Sequence, residues 1–154
     1  METTNQKSID VLNNLLEINN DRIEGYNTAL KETKEPDLKN MFSQFAETSQ
    51  KCKRELTAEV RNLGGTPIEG TLTSGKLYRA WMDVKAALTN KDRKAILNSC
   101  EFGEDVAVKN YEEALKNNPT GSPLYKIINQ QYDLIRAEHD KIKKLRDVLV
   151  NSEA

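Results

Sequence analysis

Glycine and proline are scarce in this 154-residue chain, at seven and four residues. They fall between long periodic segments, and there is no clear period-2 alternation, which argues against a fold of many short strands. Charge of one sign is lacking too. The 23 basic and 24 acidic residues leave a formal charge of −1, so nucleic-acid binding through net charge is not expected. No apolar run approaches the ~20 residues that cross a bilayer. The start, Met1-Glu-Thr-Thr-Asn-Gln-Lys7, has no apolar stretch of the secretory kind, so the expected setting is cytoplasmic. With one histidine, no Gly-rich phosphate loop and no nucleophile placed beside a base, no catalytic constellation stands out. Cys52 and Cys100 both sit in helical patterns. They are expected to be buried and reduced, because facing helices seldom bring two Cα atoms within the reach of a disulfide.

What is present is helical periodicity, in a length suited to one domain with a real core. The expected architecture is all-α: a four-helix bundle with a long crossover carrying one extra short helix. Helix one is read from Ser8, a candidate N-cap, to Thr33, with the seam Leu12, Leu16, Asn19, Ile23, Tyr26 and Leu30. Glu17, Asp21 and Glu24 lie off that seam and are expected in solvent. Pro36 starts helix two, which ends at Gly64-Gly65; its seam is Leu38, Phe42, Phe45, Ser49, Cys52 and Leu56. In the connection, Ser74 is expected to cap a short lid helix with the face Leu77, Trp81, Val84 and Leu88. Helix three follows from Asp92 to Lys116, with the seam Leu97, Cys100, Glu104, Ala107, Tyr111 and Ala114. Helix four starts at Ser122-Pro123 and runs to about Val150, with the seam Tyr125, Ile128, Tyr132, Ile135, His139, Ile142 and Leu149. Asn151 to Ala154 form a frayed tail.

Each long helix carries polar residues near mid-height on its inner face. Asn19, Ser49, Cys52, Glu104, Arg136 and His139 are therefore expected to form one buried polar layer. A buried carboxylate needs a partner. The expectation is a Glu104–Arg136 ion pair, with His139, Asn19 and Ser49 completing the hydrogen bonds.

Several stretches carry a family resemblance. Phe102-Gly-Glu-Asp105 with Tyr111-Glu-Glu-Ala114, and His139-Asp-Lys-Ile-Lys-Lys-Leu145, resemble the ferritin-like superfamily, and rubrerythrins most of all. Glu17-Ile-Asn-Asn-Asp-Arg-Ile-Glu-Gly-Tyr26, Trp81-Met-Asp83 and Cys100-Glu-Phe-Gly-Glu-Asp105 are closer still to a bacterial family of ferritin-like bundles of unknown function, over about residues 8 to 149. The resemblance implies a four-helix bundle with a di-iron centre of four carboxylates and two histidines. Carried over by position, most of that centre is missing. The helix-one Glu falls at Asn19 or Asn20, and the helix-two Glu-x-x-His at Ser49 and Cys52. Helix three keeps Glu104 but has Ala107. Helix four has Arg136 in place of a Glu and keeps His139.

Two functional classes follow. The first is a non-enzymatic bundle with no cofactor, acting through association with a protein partner or as a homodimer, away from nucleic acid and membrane. The second is a metal-binding oxidoreductase or metal store, with iron or zinc at Glu104 and His139 and Cys52 as a further ligand type. A small-molecule pocket between the lid helix and the bundle, near Trp81 and Tyr78, is a third possibility.

Overall fold

The computed structural model describes residues 4–71 and 75–153 and contains, among these, five helices and no strand. They are α1 (Thr4–Glu32), α2 (Pro36–Asn62), α3 (Gly75–Thr89), α4 (Arg93–Asn117) and α5 (Tyr125–Glu153). Several ends follow the local chemistry. Pro36 occupies the first turn of α2, where its missing N–H costs nothing. Gly64 closes α2 with a φ of 84°, and the Gly64 and Gly65 N–H groups donate to the Arg61 and Val60 carbonyls. The Asp92 side chain accepts from the Ala95 N–H and caps α4. Other ends differ from the sequence reading. Ser8 lies inside α1 rather than capping it, and α5 continues to Glu153 instead of fraying from Asn151. Ser74 falls outside the described residues.

Helix α1 packs along α2 and α4 along α5; α2 touches α5, and α1 touches α4. The helices therefore form a ring in the order α1, α2, α5, α4. Helix α3 lies outside this ring, against α1 and α4. Two glycines let it approach. A Cβ on Gly25 would stand 2.4 Å from the Trp81 ring, and one on Gly103 would stand 3.4 Å from the Ala80 Cβ. Trp81 meets Tyr26 edge to face at 4.8 Å and so anchors α3 on the bundle. The crossover reaches α3 by climbing along α1. Asn13 holds the Thr66 carbonyl and the Ile68 N–H, and seven residues on, Asn20 donates to the Gly70 carbonyl.

The core has two apolar clusters. One holds Leu12, Leu16, Leu56, Tyr111 and Ile128; the other holds Tyr26, Phe42, Phe45, Leu97, Cys100 and Ile142. On every ring helix the residues between them are polar: Arg22, Ser49, Glu104 and Glu138 are all buried.

The seams of α2 and α4 are those expected, and all their named members are buried. Those of α1 and α5 are rotated. The inner residues of α1 are Leu12, Leu15, Asn19, Arg22, Tyr26 and Ala29, while Ile23 and Leu30 are only half-buried. Those of α5 are Ile128, Gln131, Ile135, Glu138 and Ile142, with Leu124 just before it, so Tyr125 and Tyr132 move to the flank. Asp21, expected in solvent, is 5% exposed.

Candidate functional site

The centre of the molecule is Arg22. It leaves α1 where the two apolar clusters meet and is 1% exposed. Its Nη2 donates to Glu104 Oε1 and to Glu138 Oε1, each at 2.7 Å. Its Nε donates to Glu104 Oε1 at 3.2 Å, and its Nη1 to Ser49 Oγ at 2.5 Å. The Tyr26 hydroxyl donates to the same Glu104 oxygen. One planar fork thus joins α1, α2, α4 and α5, a geometry suited to guanidinium rather than ammonium. Burial works against the charge on Arg22, but Glu104, Tyr26 and Glu138 outweigh it and hold the guanidinium pKa above its ordinary value. Burial first, then Glu104, raises that of the Tyr26 phenol.

A second polar layer lies one to two turns away. Asn19 Nδ2 donates to the Tyr111 hydroxyl at 2.9 Å, and that hydroxyl donates to Gln131 Oε1 at 2.7 Å. Gln131 Nε2 then donates to the Cys52 carbonyl and to Glu55 Oε1. This chain also crosses all four ring helices. From Asn19 to Arg22 the residue number rises, as it does from Gln131 to Glu138. From Cys52 to Ser49 and from Tyr111 to Glu104 it falls. Helices α1 and α5 therefore run one way, and α2 and α4 the other, so every neighbour in the ring is antiparallel.

The expected layer is corrected in two places. Arg136 does not pair with Glu104: its side chain is 48% exposed, and it donates to the Tyr132 hydroxyl and lies near Glu112 and Asp140. The reason is geometric, since the stripe that buries Glu138 turns Arg136 outward. His139 is buried, but on the flank between α5 and α4. Its Nε2 is 3.7 Å from carboxylate oxygens of both Glu101 and Asp105, and its Nδ1 is 3.1 Å from Asp140. Asn19, Ser49, Cys52 and Glu104 are buried in the ring, but divided between two layers.

Cys52, Glu104 and His139 are accordingly not brought together. Among the described residues, no group of three or more His, Cys, Asp or Glu is arranged to hold a metal ion. The di-iron centre implied by the resemblance does not fit these residues, because the Arg22 guanidinium, a fixed positive charge, lies between the two central carboxylates and holds one oxygen of each. Neither cysteine is in a disulfide. Burial pushes the Cys52 thiol up to about 12 and raises that of Cys100 further, so neither is a ready nucleophile. Between α1 and α3 a cleft is lined by Asp21, Thr28, Tyr78, Trp81 and Met82. No helix among the described residues is long and apolar enough to cross a membrane.

Residues 7–117, well over half of the chain, match the family described as Domain of unknown function (DUF2383). The chain belongs to that family. No curated protein matches it. The DUF2383 match covers α1 to α4, so Arg22, Ser49 and Glu104 lie within it, and Gln131 and Glu138 of α5 lie beyond it.

Sequence reasoning missed Arg22 and Glu138. The signal was present. The spacing of Leu15, Asn19, Arg22, Tyr26 and Ala29 is as regular as the seam that was read, and Gln131 with Glu138 tracks Ile128, Ile135 and Ile142 equally well.

Proposed function

We propose that this DUF2383 protein is a ferritin-like bundle in which a guanidinium takes the place of a central metal pair. It is non-enzymatic, carries no resident cofactor, and acts through protein association, with a second copy of itself or with a protein partner. The observation that carries this reading is the position of Arg22, whose Nη2 is 2.7 Å from both Glu104 and Glu138. A fixed positive charge there satisfies the acids that would otherwise attract a cation, and it cannot be removed near neutral pH. What remains is a scaffold with its centre occupied and function left to its surface, where Tyr78, Met82 and Phe102 are exposed apolar side chains. The two unlinked thiols suit a reducing, cytoplasmic setting.

Elemental analysis of protein purified without chelator tests the proposal. The expected result is iron, manganese and zinc all well below one per chain. A stoichiometric metal that is lost on substituting Glu104→Gln would overturn it and favour an oxidoreductase or metal store.

A further inference from the structure

The central layer has one acid too many. Two carboxylates, Glu104 and Glu138, share the single guanidinium of Arg22. If both were ionised, a net negative charge would be sealed between two apolar clusters, which is costly. One hydroxyl also faces two acceptors. The Thr48 hydroxyl stands 2.6 Å from Glu138 Oε2 and 3.2 Å from the Gln44 carbonyl. Both of those atoms accept when Glu138 is ionised, and a hydroxyl has one hydrogen to give.

We propose that Glu138 is a proton-binding site in the core of the bundle, carrying a proton on Oε2 that it donates to Thr48. That proton lets both contacts of the Thr48 oxygen be hydrogen bonds. Glu138 Oε2–H donates to Thr48 Oγ1, and the Thr48 hydroxyl donates to the Gln44 carbonyl. Glu138 Oε1 remains an acceptor for Arg22 Nη2, and Arg22 is left with one anion, Glu104. A separation of 2.6 Å is ordinary for an O–H···O bond from a carboxylic acid.

The charged and titratable groups facing Glu138 are Arg22 on α1, Cys52 on α2 and Glu104 on α4, with Thr48 as its polar neighbour on α2. Burial is the largest influence on Glu138 and holds its carboxyl above the ordinary range, against the attraction of Arg22. Glu138 is the acid of the layer nearer the surface, at 6% exposure against 1% for Glu104, so the proton has the shorter route to it. Because Glu138 joins α5 to both α1 and α2, losing the proton places a net negative charge where that helix meets the opposite hairpin. The inference concerns the interior and does not depend on what the surface binds.

The sign follows from linkage. An acid whose folded pKa is raised stabilises the fold fully below its unfolded value, and that stabilisation is lost as pH rises through the folded value. The test compares wild type with Glu138→Gln, whose amide copies the protonated acid: its NH₂ donates to Thr48 and its oxygen accepts from Arg22. Urea midpoints are measured from mildly acidic to mildly alkaline pH. Expected is a variant midpoint that equals wild type at the acid end and exceeds it as pH rises. A variant weaker than wild type by the same margin at every pH would mean that Glu138 is an ionised partner of Arg22, and would overturn the proposal. In ¹³C-glutamate-labelled protein, the carboxyl signal missing from Glu138→Gln is expected to titrate above free glutamate. Titration at or below free glutamate would overturn it as well.

Discussion

At the residue scale, stability depends most on who neutralises Glu104. It is 1% exposed, and Arg22 and Tyr26 both donate to its Oε1, while Oε2 has no hydrogen-bond partner. Replacing Arg22→Ala strands two acids in the interior. The expected loss is about 3–5 kcal/mol, the range for breaking a buried pair from one side, read by urea denaturation. Arg136→Ala removes only solvent-exposed contacts and is expected to leave the urea midpoint unchanged. If the two variants behave the other way round, the pairing described above is wrong. A second residue-scale expectation concerns acid. The Arg93 hydrogen bond is the main reason that the Asp37 carboxyl is held below its ordinary value. Its stabilisation is present above the unfolded pKa of Asp37 and is lost as pH falls through the lower folded value. Asp37→Asn should therefore flatten the acid limb of a melting-temperature profile, an effect kept small by the exposure of the pair.

At the element scale, α3 is held to the bundle through two missing side chains. Gly25→Ala drives a Cβ into the Trp81 ring. Overpacking of this kind costs about 1–3 kcal/mol, more than the ~1 kcal/mol of helix propensity gained. Trp81 is the only tryptophan, so its emission reports on α3 alone. The variant should shift that emission to the red without a matching loss of helical ellipticity. The Asp92 cap is a milder case, and Asp92→Ala is expected to cost about 1 kcal/mol in urea.

How legible these elements were depended on where their polar residues fall. On α2 the inner polar positions are small, Ser49 and Cys52, and the neighbouring stripes are plainly charged, so one seam was available. On α4 the aligned Leu97, Cys100, Ala107 and Tyr111 allow no alternative to Glu104. Helices α1 and α5 each offered two stripes one residue apart. One was the more apolar, with Ile23 on α1 and Tyr132 with His139 on α5. Periodicity cannot choose between them. What chose was a long-range fact, that Arg22 and Glu138 satisfy each other across the core, and a single sequence does not display pairs separated by more than a hundred positions.

At the scale of the whole molecule, the two hairpins α1–α2 and α4–α5 meet along narrower contacts than those within each, and both polar layers lie on that meeting surface. The fold therefore depends on α5 even though the DUF2383 match ends at residue 117. Removing residues 118–154 takes away Ile128, Ile135 and Ile142, together with Gln131 and Glu138. The shortened chain is expected to lose its single cooperative melting transition by circular dichroism. A sharp transition at the original temperature would show that the matched segment stands without α5.

The two sequestered thiols offer a clock. Cys52 and Cys100 lie in different helices and have no solvent exposure, and a thiol held that far from ionisation reacts with an alkylating reagent only after its surroundings open. Iodoacetamide uptake, followed by mass spectrometry, would then time the opening of the interior. Two modifications arriving together would signify global excursions, whereas one arriving well ahead of the other would locate the weaker half.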